Sequence, residues 1–461
     1  MNQAVDSYRA HLQNVSMIQK SLIQLLLVSA VFSAAAHLSF AEDYSIALPE
    51  SDEGIPGQGM FSPGGERFES RWNQRRTHFE SRREDDRGAL FFVGDSITQG
   101  WGDDFRGHFN EVKLANRGIG GDTSRGVIYR LERDVLSLDP SGVVILIGTN
   151  ELGGGATAEV IAGDMKVIVS ELKKHSTEMP IIINTMFPSS ESKKRPSETI
   201  QEVNRLVAAA MKGDPQVLLL DTFTLFADEN GDARADLFPD LLHLNPEGYA
   251  AWAAALRPLL ATLGYVETEA DDFEVEEGFE SLFNGEDLTG WGFRVTPPRR
   301  KPKKPRPDAP VWVEISEPEN FDGKTESSDG RYHAINGRLV VTTPVEGRRI
   351  QQLWTERDFP NDFTLRLEFR ATPNADSGVF IRQPQLQCRD YILAGPYTDL
   401  ESYRPQDWNE LEVAVTGGTA RATCNGELLE EEWPVPETGP IGLEGDRGQM
   451  EYRRIRIKEN K

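Results

Sequence analysis

Cysteine is scarce in this chain: two among 461 residues, Cys388 and Cys424. That excludes a small disulfide scaffold and leaves either a single bridge or two buried thiols. Histidine is sparse as well. The seven histidines are scattered, none at zinc-ligand spacing with a cysteine, so neither a metal nor another cofactor is implied. Basic charge is in deficit: 50 Lys and Arg stand against 74 Asp and Glu, for a net charge of −24. Nucleic acid and anionic lipid are thereby excluded as expected partners, because phosphate binding needs a net basic face. Beyond the N-terminus no apolar run reaches membrane length, and no internal repeat is evident.

The one long apolar run reads as an address. Lys20 precedes the apolar residues 22–36, and Ser39-Phe40-Ala41 places small residues at −3 and −1 of a cleavage point before Glu42. A run of about 15 residues is shorter than the roughly 20 of a membrane helix. Residues 1–41 are therefore expected to be a signal peptide, with Met17 an alternative start, and the mature chain to be periplasmic or extracellular with no membrane span. Residues 42–65, rich in Gly, Pro and acid, form a flexible lead-in.

At about 100–200 residues per domain, two or three domains are expected. The first, 66–264, opens with Phe68, Trp72 and Phe79 at helical spacing among many Arg and Glu. Apolar runs at 89–93, 112–115, 143–147, 180–186 and 217–220 then alternate with helical patterns at 124–136, 158–174, 198–211 and 246–263. Asn245 before Pro246 is an N-cap followed by proline at the first helical position. Apolar strands alternating with helices predict a three-layer α/β fold with a parallel sheet covered on both faces.

An acidic linker is expected at 265–277, and the character changes after it. Domain 278–461 has short β-rich runs at 338–343, 363–371, 378–382, 410–416, 420–424 and 452–458, with no strong helix among them. Phe363, Leu365, Leu367 and Phe369 alternate strictly with Thr364, Arg366 and Glu368, the period of a half-buried strand. Asn336-Gly337 and Asn425-Gly426 read as hairpin turns. This half is predicted to be an all-β sandwich, interrupted by a basic, Pro-rich extended loop at 297–307.

The residue types that carry chemistry cluster at strand ends. Strand one ends in Gly94-Asp95-Ser96, strand two in Asn116-Arg117-Gly118-Ile119-Gly120-Gly121-Asp122-Thr123, and strand three in Gly148-Thr149-Asn150. Asp240-Leu241-Leu242-His243 precedes the last helix. In an open α/β sheet all four groups fall on the carboxyl edge, where ligands bind. A serine hydroxyl is a poor nucleophile until an imidazole takes its proton. His243 alone among the histidines has a carboxylate three residues upstream, and Asp240 can fix its tautomer. The backbone N–H of Ser96 and Gly121 and the side-chain amide of Asn150 are candidate donors to an oxyanion. Taken singly, Gly121 reads as a turn residue, Asn150 as a helix cap and Asp240 as a surface carboxylate; the order and context favour a site.

Together these residues resemble the four blocks of the SGNH, or GDSL, hydrolase superfamily over about 89–263. The string 116–123 most resembles the branch containing the catalytic subunits of intracellular platelet-activating-factor acetylhydrolase. The resemblance implies a flavodoxin-like sheet and short-chain ester hydrolysis. Its implied roles are nucleophile for Ser96, oxyanion donors for Gly121 and Asn150, and base for His243 with Asp240. The second half resembles the 3-keto-disaccharide hydrolase domain, which implies a concanavalin-like jelly roll. The carrying stretches are 279–291, 376–382, 407–411 and 439–457, while 383–397 departs from the pattern. Trp291, Trp354, Trp408 and Tyr391 are candidates for stacking on sugar, with core packing as the alternative. Asp376 and Glu444 are candidate acids, with turn and surface roles as the alternative. The expected function is an exported serine esterase acting on acetylated carbohydrate. A keto-sugar glycosidase or lyase in the β half and a non-catalytic envelope binder are the rivals.

Overall fold

The computed structural model describes residues 51–57, 65–266, 272–296, 314–342, 351–390 and 396–460. The signal segment, the Pro-rich stretch 297–307 and Tyr391 lie outside the described residues. Residues 47–461 form one compact unit.

The α/β half begins with helix α1 (Glu66–Ser81), continues through β1 (Leu90–Gly94), α2 (Ser96–Gly100), β2 (Leu114–Gly118), α3 (Ser124–Asp134), β3 (Gly142–Leu146) and α4 (Thr149–Gly153), then α5 (Ala158–His175), β4 (Ile181–Asn184), α6 (Ser197–Met211), β5 (Val217–Leu220), α7 (Thr222–Phe226) and α8 (Pro246–Thr262). Among the described residues the sheet has five parallel strands in the order β2-β1-β3-β4-β5, the flavodoxin-like arrangement. Apart from edge strand β2, which carries Asn116 and Arg117, its strands are largely apolar on both faces because each face has its own core. Phe91, Val93, Val143, Ile145, Ile181 and Ile183 point to one side, and Leu90, Phe92, Val144, Leu146 and Ile182 to the other, as the two-residue period of a strand requires. Asn245 caps α8, its Oδ1 accepting from Gly248 N at 2.8 Å. Short helices α2, α4 and α7 escape prediction because four or five residues carry no helical period.

The β half comprises β6 (Glu280–Ser281), β7 (Trp291–Phe293), β8 (Glu319–Asn320), β9 (Tyr332–Ile335), β10 (Arg338–Val341), β11 (Leu353–Thr355), β12 (Phe363–Ala371), β13 (Asp376–Ile381), β14 (Gln385–Arg389), β15 (Asn409–Thr416), β16 (Thr419–Cys424), β17 (Glu427–Pro434), β18 (Ile441–Arg447) and β19 (Met450–Glu459). Its strands pair antiparallel in two sheets, of eight and six strands among the described residues, around one shared core. Strand β12 behaves as its alternation predicts: Phe363, Leu365, Leu367 and Phe369 are fully buried. Both Asn-Gly pairs form turns with positive φ at each residue, the backbone of a type I′ hairpin. A register shift between β12 and β19 lets Arg453 and Arg454 both hold Glu368, at 2.7 and 2.8 Å, since a bulge turns successive residues to one face.

The two cysteines are fully buried free thiols, and burial pushes both up to about 12; the single-bridge reading does not hold. The end of the acidic linker is anchored on the β half. Glu276 pairs with Arg456 at 2.6 Å, and Phe273 and Phe279 lie under Arg456, so this segment is strapped to the outer face of the larger sheet. The halves also touch: Asn374 Nδ2 donates to Asp221 Oδ2 at 2.5 Å, and Gln449 Nε2 to Thr262 Oγ1 at 2.9 Å.

Candidate active site

Strand β1 ends at Gly94, and Asp95 caps α2 by accepting from Ile97 N at 2.9 Å. Ser96 is thus the first helical residue, with its backbone N–H outside the intrahelical ladder. The turn fits because the backbones crowd: a Cβ on Gly118, at the end of neighbouring β2, would lie 2.2 Å from Gln99 N. From the far end of the domain, Tyr249 Oη on α8 donates to Ile97 O at 2.8 Å, and Ser189 Oγ donates to Leu241 O at 2.8 Å. These bonds tie the 240–243 turn to the nucleophile-bearing edge.

The result is an unbroken relay. Ser96 Oγ lies 2.9 Å from His243 Nε2, and His243 Nδ1 lies 2.8 Å from Asp240 Oδ2. Asp240 Oδ1 also accepts from the backbone N–H of Leu242 and His243, at 3.1 and 2.7 Å, and Leu241 takes φ +61° to close this turn. A carboxylate only accepts, so the ring proton sits on Nδ1 and Nε2 is left to receive the serine proton. Partial burial works to raise the Asp240 pKa, but the hydrogen bonds from His243 outweigh it and hold the carboxyl down to about 2. Asp240 is therefore not a plain surface carboxylate.

Gly121 (φ +88°) and Asn150 adjoin the same edge. Asn150 Nδ2 donates to Asp122 O at 2.9 Å and lies 3.4 Å from Asp95 Oδ2. All five residues expected from sequence, Ser96, Gly121, Asn150, Asp240 and His243, are thus brought to one edge. Missed in the sequence was the buried charge beneath them. Asp122 is fully buried and pairs with Arg130 at 2.8 Å; burial pushes it up to about 6 against that pairing. Burial pushes Asp95 up to about 7, with Glu151 and Asp122 adding to the rise and the Ile97 N–H and Arg195 opposing it. Glu151 is likewise raised by burial, opposed by the Ser124 N–H it accepts at 2.8 Å. Such pairing depends on long-range burial, for which the local sequence holds no signal.

In the β half, the aromatic candidates separate. Trp291 is fully buried and belongs to the core, donating to Leu282 O at 2.6 Å. Trp408 lies under Arg370 and Arg453 on the larger sheet. Trp354 is half-buried on the smaller sheet, 5.3 Å from the Phe380 ring, and lies against Gly442. Glu444 shares that sheet and is buried, which excludes the surface role weighed for it. It accepts from Gln352 at 2.7 Å and from Gln385 at 2.8 Å. Burial pushes its carboxyl up to about 7, with Asp446 and Asp376 adding to the rise and the two amides opposing it. Asp376 pairs with Arg389 at 2.8 Å. A cavity of about 410 Å³ opens beside Trp354, lined also by Arg294, Glu319 and Asn320.

Residues 92–251 match the GDSL-like lipase/acylhydrolase family. Platelet-activating factor acetylhydrolase IB subunit alpha1 of Pongo abelii is 32% identical over 198 residues, which are 42% of this chain and 85% of that relative. The chain belongs to the GDSL-like lipase/acylhydrolase family. The alpha2 subunit of the Bos taurus enzyme is 29% identical over 229 residues, 49% of this chain and 94% of that relative. A GDSL-like lipase structure from Bacteroides thetaiotaomicron covers 40% of the acylhydrolase and 98% of its own chain, at 21% identity and a TM-score of 0.36. Residues 278–458 match the 3-keto-alpha-glucoside-1,2-lyase-like domain, so the acylhydrolase carries the two-part organisation its sequence suggests. It is a hydrolase of esters, and among its described residues no helix is long and apolar enough to cross a membrane.

Proposed function

We propose that this acylhydrolase is an exported carbohydrate esterase. Domain 66–264 removes short acyl groups, chiefly acetyl, from an O-acylated saccharide, and domain 278–461 binds or processes the same glycan. Ser96 Oγ attacks the ester carbonyl while its proton passes to His243 Nε2. Asp240 steadies the imidazolium, and the N–H groups of Ser96, Gly121 and Asn150 receive the oxyanion. The leaving alcohol takes the proton from His243, and water then repeats the sequence on acyl-Ser96 with His243 as base. The reading rests on the relay from Ser96 through His243 to Asp240, at 2.9 and 2.8 Å. A saccharide substrate is supported by the keto-glucoside lyase-like match of the second half.

Acetate release from acetylated xylan, pectin and small acetyl esters tests it, with Ser96→Ala as control. Ser96-dependent release from a polysaccharide is the expected result; release unchanged in Ser96→Ala refutes the assigned nucleophile. A second reading makes the β half the main active unit, cleaving keto-sugar glycosides with the esterase as accessory. The buried Glu444, its carboxyl pushed up to about 7 by burial and held by the amides of Gln352 and Gln385, favours it. Under that reading Ser96→Ala leaves glycoside cleavage intact and Glu444→Gln abolishes it.

A further inference from the structure

Helix α1 lies upstream of the family match at 92–251, and the mechanism above gives it no task. Its inward face nevertheless runs along the loop that carries Gly121. Arg71 Nη1 donates to Gly120 O at 3.2 Å. Arg75 Nε donates to Gly118 O, also at 3.2 Å. The Phe68 ring is so close to Gly121 that a Cβ there would lie 3.0 Å from Cδ2 and 3.1 Å from Cε2. From the other side, Gln99 Oε1 accepts from Gly120 N at 2.6 Å.

The carbonyl of Gly120 and the N–H of Gly121 belong to one planar peptide and point in opposite directions. A donor fixed on Gly120 O therefore sets where Gly121 N–H aims. Two successive glycines rotate such a plane at little steric cost, and a flip would turn a carbonyl oxygen, instead of an N–H, toward the developing oxyanion. Arg71 and Gln99 hold the two ends of Gly120, and the buried Phe68 ring blocks movement at Gly121. A cation on the carbonyl also polarises the amide and makes its N–H a stronger donor.

We infer that Phe68, Arg71 and Gln99 are positioning residues that lock the Gly120–Gly121 peptide in its oxyanion-binding orientation. This rests on ester hydrolysis at Ser96, and none of the three touches the reacting atoms.

The test uses the full chain, turnover of p-nitrophenyl acetate, and the rate at which a fluorophosphonate labels Ser96, since both reactions build negative charge on an oxygen in the same place. Arg71 is exposed, so Arg71→Ala leaves the core unchanged. Arg71→Ala and Gln99→Leu are expected to lower kcat and the labelling rate together by about 10- to 100-fold, less than the roughly 10²–10³ lost with a whole donor. KM and Tm stay near wild type. Arg71→Lys and Gln99→Glu, which keep a donor and an acceptor, restore most of the loss. The double variant falls short of the product of the singles, because both act on one peptide.

Wild-type kcat and labelling in both single variants, with Ser96→Ala inactive, overturns the inference and leaves the esterase standing. A raised KM at unchanged kcat overturns it too, by making these residues substrate contacts. Wild-type protein that neither turns over ester nor labels at Ser96 overturns the inference and the esterase reading together.

Discussion

Asp95 carries a stability cost that depends on pH, and replacing it with asparagine should relieve that cost in a defined window. The side chain is 1% exposed, and burial lifts its carboxyl from 3.8 to about 7. Between about pH 4 and 7 the folded chain holds a proton that the unfolded chain has released, so stability falls as pH rises through this interval and the full penalty is present above 7. About three units at 1.36 kcal/mol each give roughly 4 kcal/mol. Relaxation of the site around the ionised carboxylate brings this to about 2–4 kcal/mol. Asparagine keeps the oxygen that caps α2 and never ionises. At 2–4 °C per kcal/mol for a half of this size, Asp95→Asn should melt about 4–16 °C above wild type at pH 8. The gap should shrink to a small fraction of that by pH 4.5. Asp122 and Glu151, which repel Asp95, push the effect the same way. Scanning calorimetry of both proteins across that range reads it directly. Any constant offset from the altered contact with Asn150 is irrelevant, because only the pH-dependent part is diagnostic. A Tm difference that is the same at pH 4.5 and pH 8 would show that the Asp95 carboxyl is not destabilised by burial.

Two further outcomes follow from the same geometry. Asp240→Asn leaves the fold intact but lets Nδ1 lose its proton to Nε2, and kcat on a small acetyl ester should drop by about 10²–10⁴-fold; a drop under threefold refutes the orienting role. Gly118→Ala forces a Cβ to within 2.2 Å of Gln99 N. Because that neighbour is backbone, the variant should lose on the order of 2 kcal/mol or more of stability, and an unchanged urea midpoint would disprove the close approach.

The α/β half was legible because its signals are local. Each strand but β2 is a short apolar run between helical patterns; β2, expected at 112–115, lies at Leu114–Gly118 and includes the buried Asn116 and Arg117. The residues that open the site follow on strands β1, β2 and β3. The β half was half-legible. Long alternating strands such as β12 announce themselves, whereas β7, β8 and β11 have two or three residues and no period to detect. Strand β18 carries glycines and charges on one face, which reads as loop until a partner strand supplies the hydrogen bonds. The arginines of α1 had a faint signal in their spacing, Arg71, Arg75 and Arg76 lying on one side of a helix with Phe68 and Trp72, but nothing local says what they meet.

By itself, then, the sequence determined which residues could do chemistry and on which edge of a parallel sheet they would lie, since strand ends and helix starts are written in neighbouring residues. Only the tertiary structure decided that Ser96 meets His243 across 147 positions of chain, that Asp95, Asp122 and Glu444 are desolvated, and that α1 lies along Gly120 and Gly121. Those facts depend on exclusion of water and on contacts between distant segments. Neither property belongs to a stretch of residues until the whole chain has packed.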